Sequence, residues 1–324
     1  MVRLLMCSVF VGVLCGSCVT SISENNTPEL PIRFEDTPLP NIEINGYLYL
    51  YMENGSQVDV LGWTPFIKKS EPSSFVYEAN SIAIWIGPNP RSLGLWVNLA
   101  STSQAILIEK TLRIEYGSEM DIVREQNNLY LMYGRNDWTY ELQNAIENED
   151  YVELDAAYPD VAILFNLLPE VSTSGPIAAG FGILDNEFVS NLEHSLDMDL
   201  SVVSSVVNGA HLQNVVFAMY PEESLYPVID FDTLFLKDDK PGVILASRSA
   251  YPGFIISIMF KSIMQSAGMY KLSFEGYIDD AEIYYFSPRT DLHGILKNDG
   301  SIFILSIARE FEEAKRLILS TLPS

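Results

Sequence analysis

Asn128-Leu129-Tyr130-Leu131-Met132-Tyr133 is an apolar strand, Gly134 to Asn136 is a polar break, and Asp137 to Ile146 carries a helical spacing. Asp137 is the expected N-cap, a short side chain able to accept from the orphan amides of the first turn. Leu142, Ala145 and Ile146 form the apolar face of that helix. The same order returns near the C-terminus without a gap, because Val123 to Ile146 lies on Ile295 to Ile318 at a constant offset of 172 residues. Gly300-Ser301-Ile302-Phe303-Ile304-Leu305 falls under the strand, and Glu313-Ala314 and Leu317-Ile318 fall under Glu141-Leu142 and Ala145-Ile146. Two copies of turn, strand, break and helix predict two related halves. Tyr47 to Gly55 also resembles Val161 to Glu170, which would be the strand near the start of each half.

Working outward, strands are expected at Gly46–Met52, Ser81–Ile86 and Leu93–Ala100, the last two forming a hairpin around Gly87-Pro88-Asn89-Pro90-Arg91. Further short strands are expected at Ala105–Ile108, Thr111–Tyr116 and Asp160–Leu168, and then at Val215–Tyr220, Asp232–Leu236, Val243–Ala246, Tyr270–Phe274, Ala281–Phe286 and Ser301–Ile307. In Pro176–Leu192, Ile177, Phe181, Leu184, Phe188 and Leu192 recur at helical spacing, although Gly180 and Gly182 weaken its start. Leu200–Leu212, Gly253–Ala267 and Arg309–Leu322 complete the expected helices. The predicted fold is α+β, with two related halves, each a mixed or mainly antiparallel sheet covered by amphipathic helices; the hairpin turns leave little room for parallel crossovers. The halves are placed at 44–150 and 151–324.

Ahead of them stand a leader and a tether. Arg3 is followed by the apolar run Leu4 to Leu14 and by Cys15-Gly16-Ser17-Cys18, the layout of a secretory signal peptide at 1–17. The run is about half of the roughly twenty residues that a spanning helix needs. A cysteine behind small residues is also the layout of a bacterial lipobox, with Cys18 as the acylated residue, although Cys15 stands where leucine is usual. All three cysteines, Cys7, Cys15 and Cys18, belong to this region, so the expected mature chain holds no disulfide and no cysteine nucleophile. A lone cysteine at a new N-terminus favours lipidation over plain secretion or an uncleaved anchor. Residues 18–43 then read as a lipidated N-terminus and an extended spacer with Pro28, Pro31, Pro38 and Pro40.

A hydrophobic content of 48% predicts a packed core rather than a disordered chain. A formal charge of −24 argues against nucleic acid as a partner, because phosphate binding runs on Lys and Arg. It also argues against simple attraction to anionic lipid.

Catalytic patterns are missing from the sequence. There is no G-x-S-x-G elbow, P-loop, G-x-G-x-x-G or H-E-x-x-H, and Ser172-Thr173-Ser174-Gly175 lacks a nucleophile's setting. His194, Asp197 and Asp199 could share a helix face as a weak divalent site, but the alternative is a solvated acidic turn, and no metal or cofactor is expected. His211 beside a strand and His293 in a glycine-containing turn read as structural. The informative chemistry is apolar. Phe254, Ile255, Ile258, Met259 and Ile263 lie on a short helix that is apolar on nearly every side, and Phe181, Leu184 and Phe188 lie on a second candidate. Either is a core helix, or one that meets membrane or an apolar ligand.

Ser249-Ala250-Tyr251-Pro252-Gly253-Phe254, the apolar helix through Phe260, and the segment from Ile283-Tyr284-Tyr285-Phe286 through Ile302-Phe303-Ile304-Leu305 to Leu319 resemble the treponemal concealed outer-membrane lipoprotein family. Leu129 to Ile146 is similar to the end of that family's first half. The resemblance implies a tandem α/β protein, lipid-anchored on the periplasmic face of the outer membrane, whose helices engage membrane or lipid and which carries no catalytic residues. The resulting expectation is a non-enzymatic, exported envelope lipoprotein anchored through Cys18, with an apolar helix or groove for membrane, lipid or an apolar ligand. The alternatives are an envelope protein–protein interaction module and, less favoured, a periplasmic hydrolase.

Overall fold

Strand β2 (Ser81–Ile86) is buried from its second residue to its last, on both faces of its pleat. Such a strand lies inside a sheet covered on both sides. The computed structural model describes residues 39–42, 48–52, 75–76, 78–87, 92–117, 119–134, 136–169, 178–183, 212–220, 229–230, 235–236, 243–249, 270–278, 281–289, 292–299, 301–308 and 310–321. Around β2 these residues form one twelve-stranded sheet, antiparallel throughout.

The strands of the first half are β1 (Leu48–Met52), β2, β3 (Leu93–Asn98), β4 (Met120–Glu125) and β5 (Asn128–Tyr133). Those of the second are β6 (Ala178–Ile183), β7 (Leu212–Met219), β10 (Val243–Ser249), β11 (Tyr270–Ile278), β12 (Ala281–Arg289), β13 (Leu292–Asp299) and β14 (Ile302–Ala308), with a small separate ladder of β8 (Ile229–Asp230) and β9 (Phe235–Leu236). The central pair is β1 and β6. One side runs outward as β1-β2-β3-β5-β4 and the other as β6-β7-β10-β14-β13, beyond which β12 and β11 extend the sheet. The fold is therefore α+β with two sheet-containing halves. The 172-residue offset carries β4 onto the start of β13, and β5 and α2 (Asp137–Glu147) onto β14 and α5 (Phe311–Leu319) to within three residues.

Register decides which helix lies on which face. Trp85 is opposite Gly94 and Tyr49, Tyr49 is opposite Phe181, Phe181 opposite Val216, and Val216 opposite Ala246, so these positions share one face. Helix α2 lies on it: Leu142 crowds Gly94, and the Trp138 ring lies so close to Gly87 that a Cβ there would stand 2.5 Å from it. Helix α4 (Pro159–Phe165), entered through the single turn α3 (Leu154–Ala157), packs the Phe165 ring edge-on to Phe181 at 6.4 Å. Helix α5 is on the same face, where Ser306 Oγ donates to the Ala314 carbonyl at 2.6 Å. Helix α1 (Thr102–Tyr116) lies on the opposite face, since Glu109 reaches Arg124, which is opposite Leu129.

Six expectations are corrected. Ala105–Ile108 and Thr111–Tyr116 are not two strands but parts of α1. Asp160–Leu168 is not a strand: Pro159 at the first helical turn presets φ and starts α4. Nor does Val161–Glu170 match Tyr47–Gly55, since the symmetric partner of β1 is β6. Phe181 lies on strand β6 rather than on a helix, and Leu184 to Leu192 lie outside the described residues. His293 sits within β13, not in a turn, and the N-cap of α2 is Asn136, one residue before Asp137. The expected helix at Gly253–Ala267 lies outside the described residues, as does Leu200–Leu212 except for Leu212, which opens β7.

Candidate membrane-facing helix and tether seat

Ser101 begins α1, its Oγ accepting from the Gln104 amide at 3.2 Å. The inward stripe is thin. Only Ala105 and Leu112 of its fifteen residues are buried, with Ile108 and Tyr116 packed at the margin of the core. An ion pair adds to this packing: Glu109 takes Arg113 of its own helix at 2.9 Å on one carboxylate oxygen and Arg124 of β4 at 2.7 Å on the other. Arg113 also donates through Nη2 to the Ile122 carbonyl at 2.5 Å. Burial pushes the Glu109 carboxyl up, but hydrogen bonds and charges from Arg124 and Arg113 outweigh it and hold the group below the usual glutamate value.

The outward side of α1 is the unusual one. At about 100° per residue, Ser103, Leu107, Lys110 and Ile114 project opposite Ala105 and Leu112, with Ile106 beside them. Leu107 is 67% exposed and Ile114 is 85% exposed. Lys110 is exposed and has no ion-pair partner among the described residues. The helix's two acids lie elsewhere: Glu109 turns toward the sheet and Glu115 lies on the flank. An apolar strip with a lysine and no acid thus faces solvent on a chain of formal charge −24. Sequence reading missed it because two apolar stripes on one helix fill nearly every position from Ala105 to Ile108 and break the 3.6-residue period. Ser101 three residues before Gln104 was the available signal.

A second feature lies on the other face. Helix α2 ends in a Schellman turn, with the Glu149 amide on the Ile146 carbonyl at 3.1 Å and the Asp150 amide on the Ala145 carbonyl at 2.8 Å. Glu149 takes φ of +54° there, where glycine is usual. Past this turn, residues 39–42 lie antiparallel to 150–152. The Asn41 amide donates to the Asp150 carbonyl at 2.9 Å and the Val152 amide to the Leu39 carbonyl at 2.9 Å. Asn41 Nδ2 donates to Asp150 Oδ1 at 3.2 Å, and Leu39, Pro40 and Ile42 are buried. An open cleft of about 270 Å³ adjoins, lined by Asn41, Ile42, Glu141, Asn144, Asn148 and Asp150.

Of the residues singled out from sequence, Phe181 is fully buried, 5.4 Å from the Tyr158 ring, and belongs to the core. Cys18, Leu184, Phe188, His194, Asp197, Asp199, His211, Phe254, Ile255, Ile258, Met259 and Ile263 lie outside the described residues. His293 Nδ1 shares a 2.9 Å hydrogen bond with the Tyr285 hydroxyl, and both rings pack around Phe311. Among the described residues no three His, Cys, Asp or Glu side chains could hold a metal ion, and no helix is long and apolar enough to cross a membrane. Tyr130 donates to Glu125 at 3.2 Å and so takes the 3.1 Å bond from Tyr151 as acceptor. Burial raises both phenols from their ordinary value, and Tyr151 and Glu125 raise Tyr130 further, so neither serves as a base near neutral pH.

No family model and no curated protein matches the chain. Among solved structures, crystal forms I, III and IV of TP0453, a treponemal concealed outer-membrane lipoprotein, are similar to it at a TM-score of 0.42 and 10–11% identity. The alignments cover 88–89% of this chain and 98–99% of theirs. At that TM-score the likeness transfers neither architecture nor activity.

Proposed function

We propose that the protein is an exported, non-enzymatic envelope lipoprotein, anchored through acylated Cys18, that lays the outer face of α1 on the membrane surface. The observation that carries this reading is the exposure of Leu107 (67%) and Ile114 (85%) around Lys110, on the side of α1 that carries no acid. Burying a leucine or isoleucine side chain is worth about 1.5–3 kcal/mol, so two or three of them at an interface supply a useful but modest affinity. An acylated Cys18 and an interfacial helix are two signals, and two such signals together hold a protein on a membrane. The acidic body opposes an anionic leaflet, so apolar burial and not charge supplies the affinity; binding to neutral vesicles should change little with salt. The apolar segment Phe254 to Met264 remains a second proposed contact on sequence grounds.

Vesicle flotation tests the reading. The chain from Val19 onward should float weakly with phosphatidylcholine vesicles, and a Leu107→Ser, Ile114→Ser variant should lose most of that while melting at the wild-type temperature. Full-length Cys18→Ala should leave the membrane fraction of cells. An unchanged membrane fraction removes the anchor. Undiminished flotation of the double variant removes α1 from the contact. A stoichiometric protein partner recovered on α1, with no flotation, favours the interaction-module alternative.

A further inference from the structure

Lys110 and Arg113 are the two basic residues of α1. Three residues separate them, about 60° around the helix and about 4.5 Å along it, so they are neighbours on one flank. Both are exposed, the Arg113 side chain to 52%. The Arg113 guanidinium is fixed from behind, with Nε donating to Glu109 at 2.9 Å and Nη2 to the Ile122 carbonyl at 2.5 Å. Its Nη1 makes no hydrogen bond among the described residues, and Lys110 has no ion-pair partner among them. The acids of this region do not neutralise the pair. Both Glu109 oxygens are taken, by Arg113 and Arg124. Glu115 stands about 140° around the helix from Lys110. Glu78 is on that far flank too, where it accepts from the Gln104 carboxamide at 2.8 Å.

We infer that Lys110 and Arg113 form a phosphodiester-binding site, which takes the phosphate of a glycerophospholipid when α1 lies on the membrane. The inference rests on the membrane-facing role proposed for α1 and adds the class of lipid. Leu107 lies one turn before Lys110 and Ile114 one turn after it, so the cations border the exposed apolar strip. With Leu107 and Ile114 among acyl chains, the lysine stem lies along the strip and its ammonium reaches up to the headgroups. That is the level of the lipid phosphate. Lys110 supplies a point charge and Arg113 a pre-positioned Nη1 donor, and charge-assisted bonds to phosphate are about twice as strong as neutral ones. A zwitterionic lipid carries the same phosphodiester as an anionic one. A chain of formal charge −24 can therefore use two local cations without being drawn to an anionic leaflet. The contact sets the rotation and depth of α1, which apolar burial alone leaves loose because it has no direction.

The test compares two neutral bilayers that differ in the phosphodiester, phosphatidylcholine and digalactosyldiacylglycerol. The protein is the chain from Val19 onward, which keeps every residue of the described fold. Wild type should bind the phosphatidylcholine vesicles at least ~5-fold more tightly. Lys110→Gln should bind the two bilayers alike, and Lys110→Arg should keep the preference. Because residue 110 is exposed, both variants should melt at the wild-type temperature. Equal binding of wild type to the two bilayers, or a preference that Lys110→Gln retains, overturns the phosphate site and leaves α1 as an apolar contact. No binding to either bilayer overturns the site together with the membrane-facing reading.

Discussion

Helices α1 and α2 belong to the same half and lie on opposite faces of the same strands, yet they meet solvent in opposite ways. Helix α2 buries Trp138, Thr139, Leu142, Ala145 and Ile146 and turns Glu141, Gln143, Asn144 and Asn148 outward or to its margins. Its N-terminus is closed by a reciprocal capping box, Asn136 accepting from the Thr139 amide and Thr139 Oγ1 from the Asn136 amide. Helix α1 buries two residues, is cinched by Glu109 between two arginines, and gives its outward face to Ile106, Leu107 and Ile114. The apolar content of α2 is explained by the core beneath it. Much of that of α1 is not, and an unexplained exposed apolar strip points to something that covers it.

If that contrast is right, perturbing α2 should cost stability and perturbing the outer face of α1 should not. The largest effect is expected at Leu142, fully buried against Gly94: Leu142→Ala should lose about 2–5 kcal/mol in urea unfolding. Gly87→Ala drives a Cβ into the Trp138 ring and should cost about 1–3 kcal/mol, read the same way. Removing the cap with Asn136→Ala should cost about 1 kcal/mol, and also frees Ser92 Oγ, to which Asn136 Nδ2 donates. Glu149→Gly relieves a left-handed backbone and should raise stability by a few tenths to about 1 kcal/mol; a loss would mean that the Glu149 side chain contributes more than its strain.

The ion-pair clamp of α1 adds a pH arm. The folded-state value of Glu109 is depressed, so its contribution is complete above the ordinary glutamate value and fades as pH falls through the lower folded one. Acidification below about pH 4.5 should therefore loosen α1 before α2, seen as earlier amide exchange across α1. Loss of protection in both helices together would show that α1 depends on the global fold and not on the clamp.

How much of this was legible in the sequence follows from the same contrast. Helices α2 and α5 each have one apolar stripe behind a polar break, and both were readable, as was their 172-residue correspondence. Strands whose ends are marked by Gly and Pro, such as β2 and β3, were readable too. The failures share a cause: periodicity is lost when both sides of an element are apolar. In α4 the run Val161-Ala162-Ile163-Leu164-Phe165 looks like a buried strand, and only Pro159 announces a helix. In β6 the spacing of Ile177, Phe181 and Leu184 imitates a helix, while Ala178, Ala179, Gly180 and Gly182 carried the better signal against one. The pairing of 39–42 with 150–152 had no local signature, because it joins segments that are far apart in the chain. The exposed strip on α1 could not be found at all until α1 was known to be a helix.

The central claim is that α1, and not α2, meets the membrane. The chain's cysteines all lie within residues 1–18, so the chain from Val19 onward accepts a single introduced cysteine for an environment-sensitive fluorophore. Position 114 on α1 and position 140 on α2 are both exposed, Ile114 at 85% and Tyr140 at 51%. With phosphatidylcholine vesicles added, the account predicts a blue shift and a rise in emission from an Ile114→Cys label and no change from a Tyr140→Cys label. A silent label at 114, or equal shifts at both positions, would contradict it.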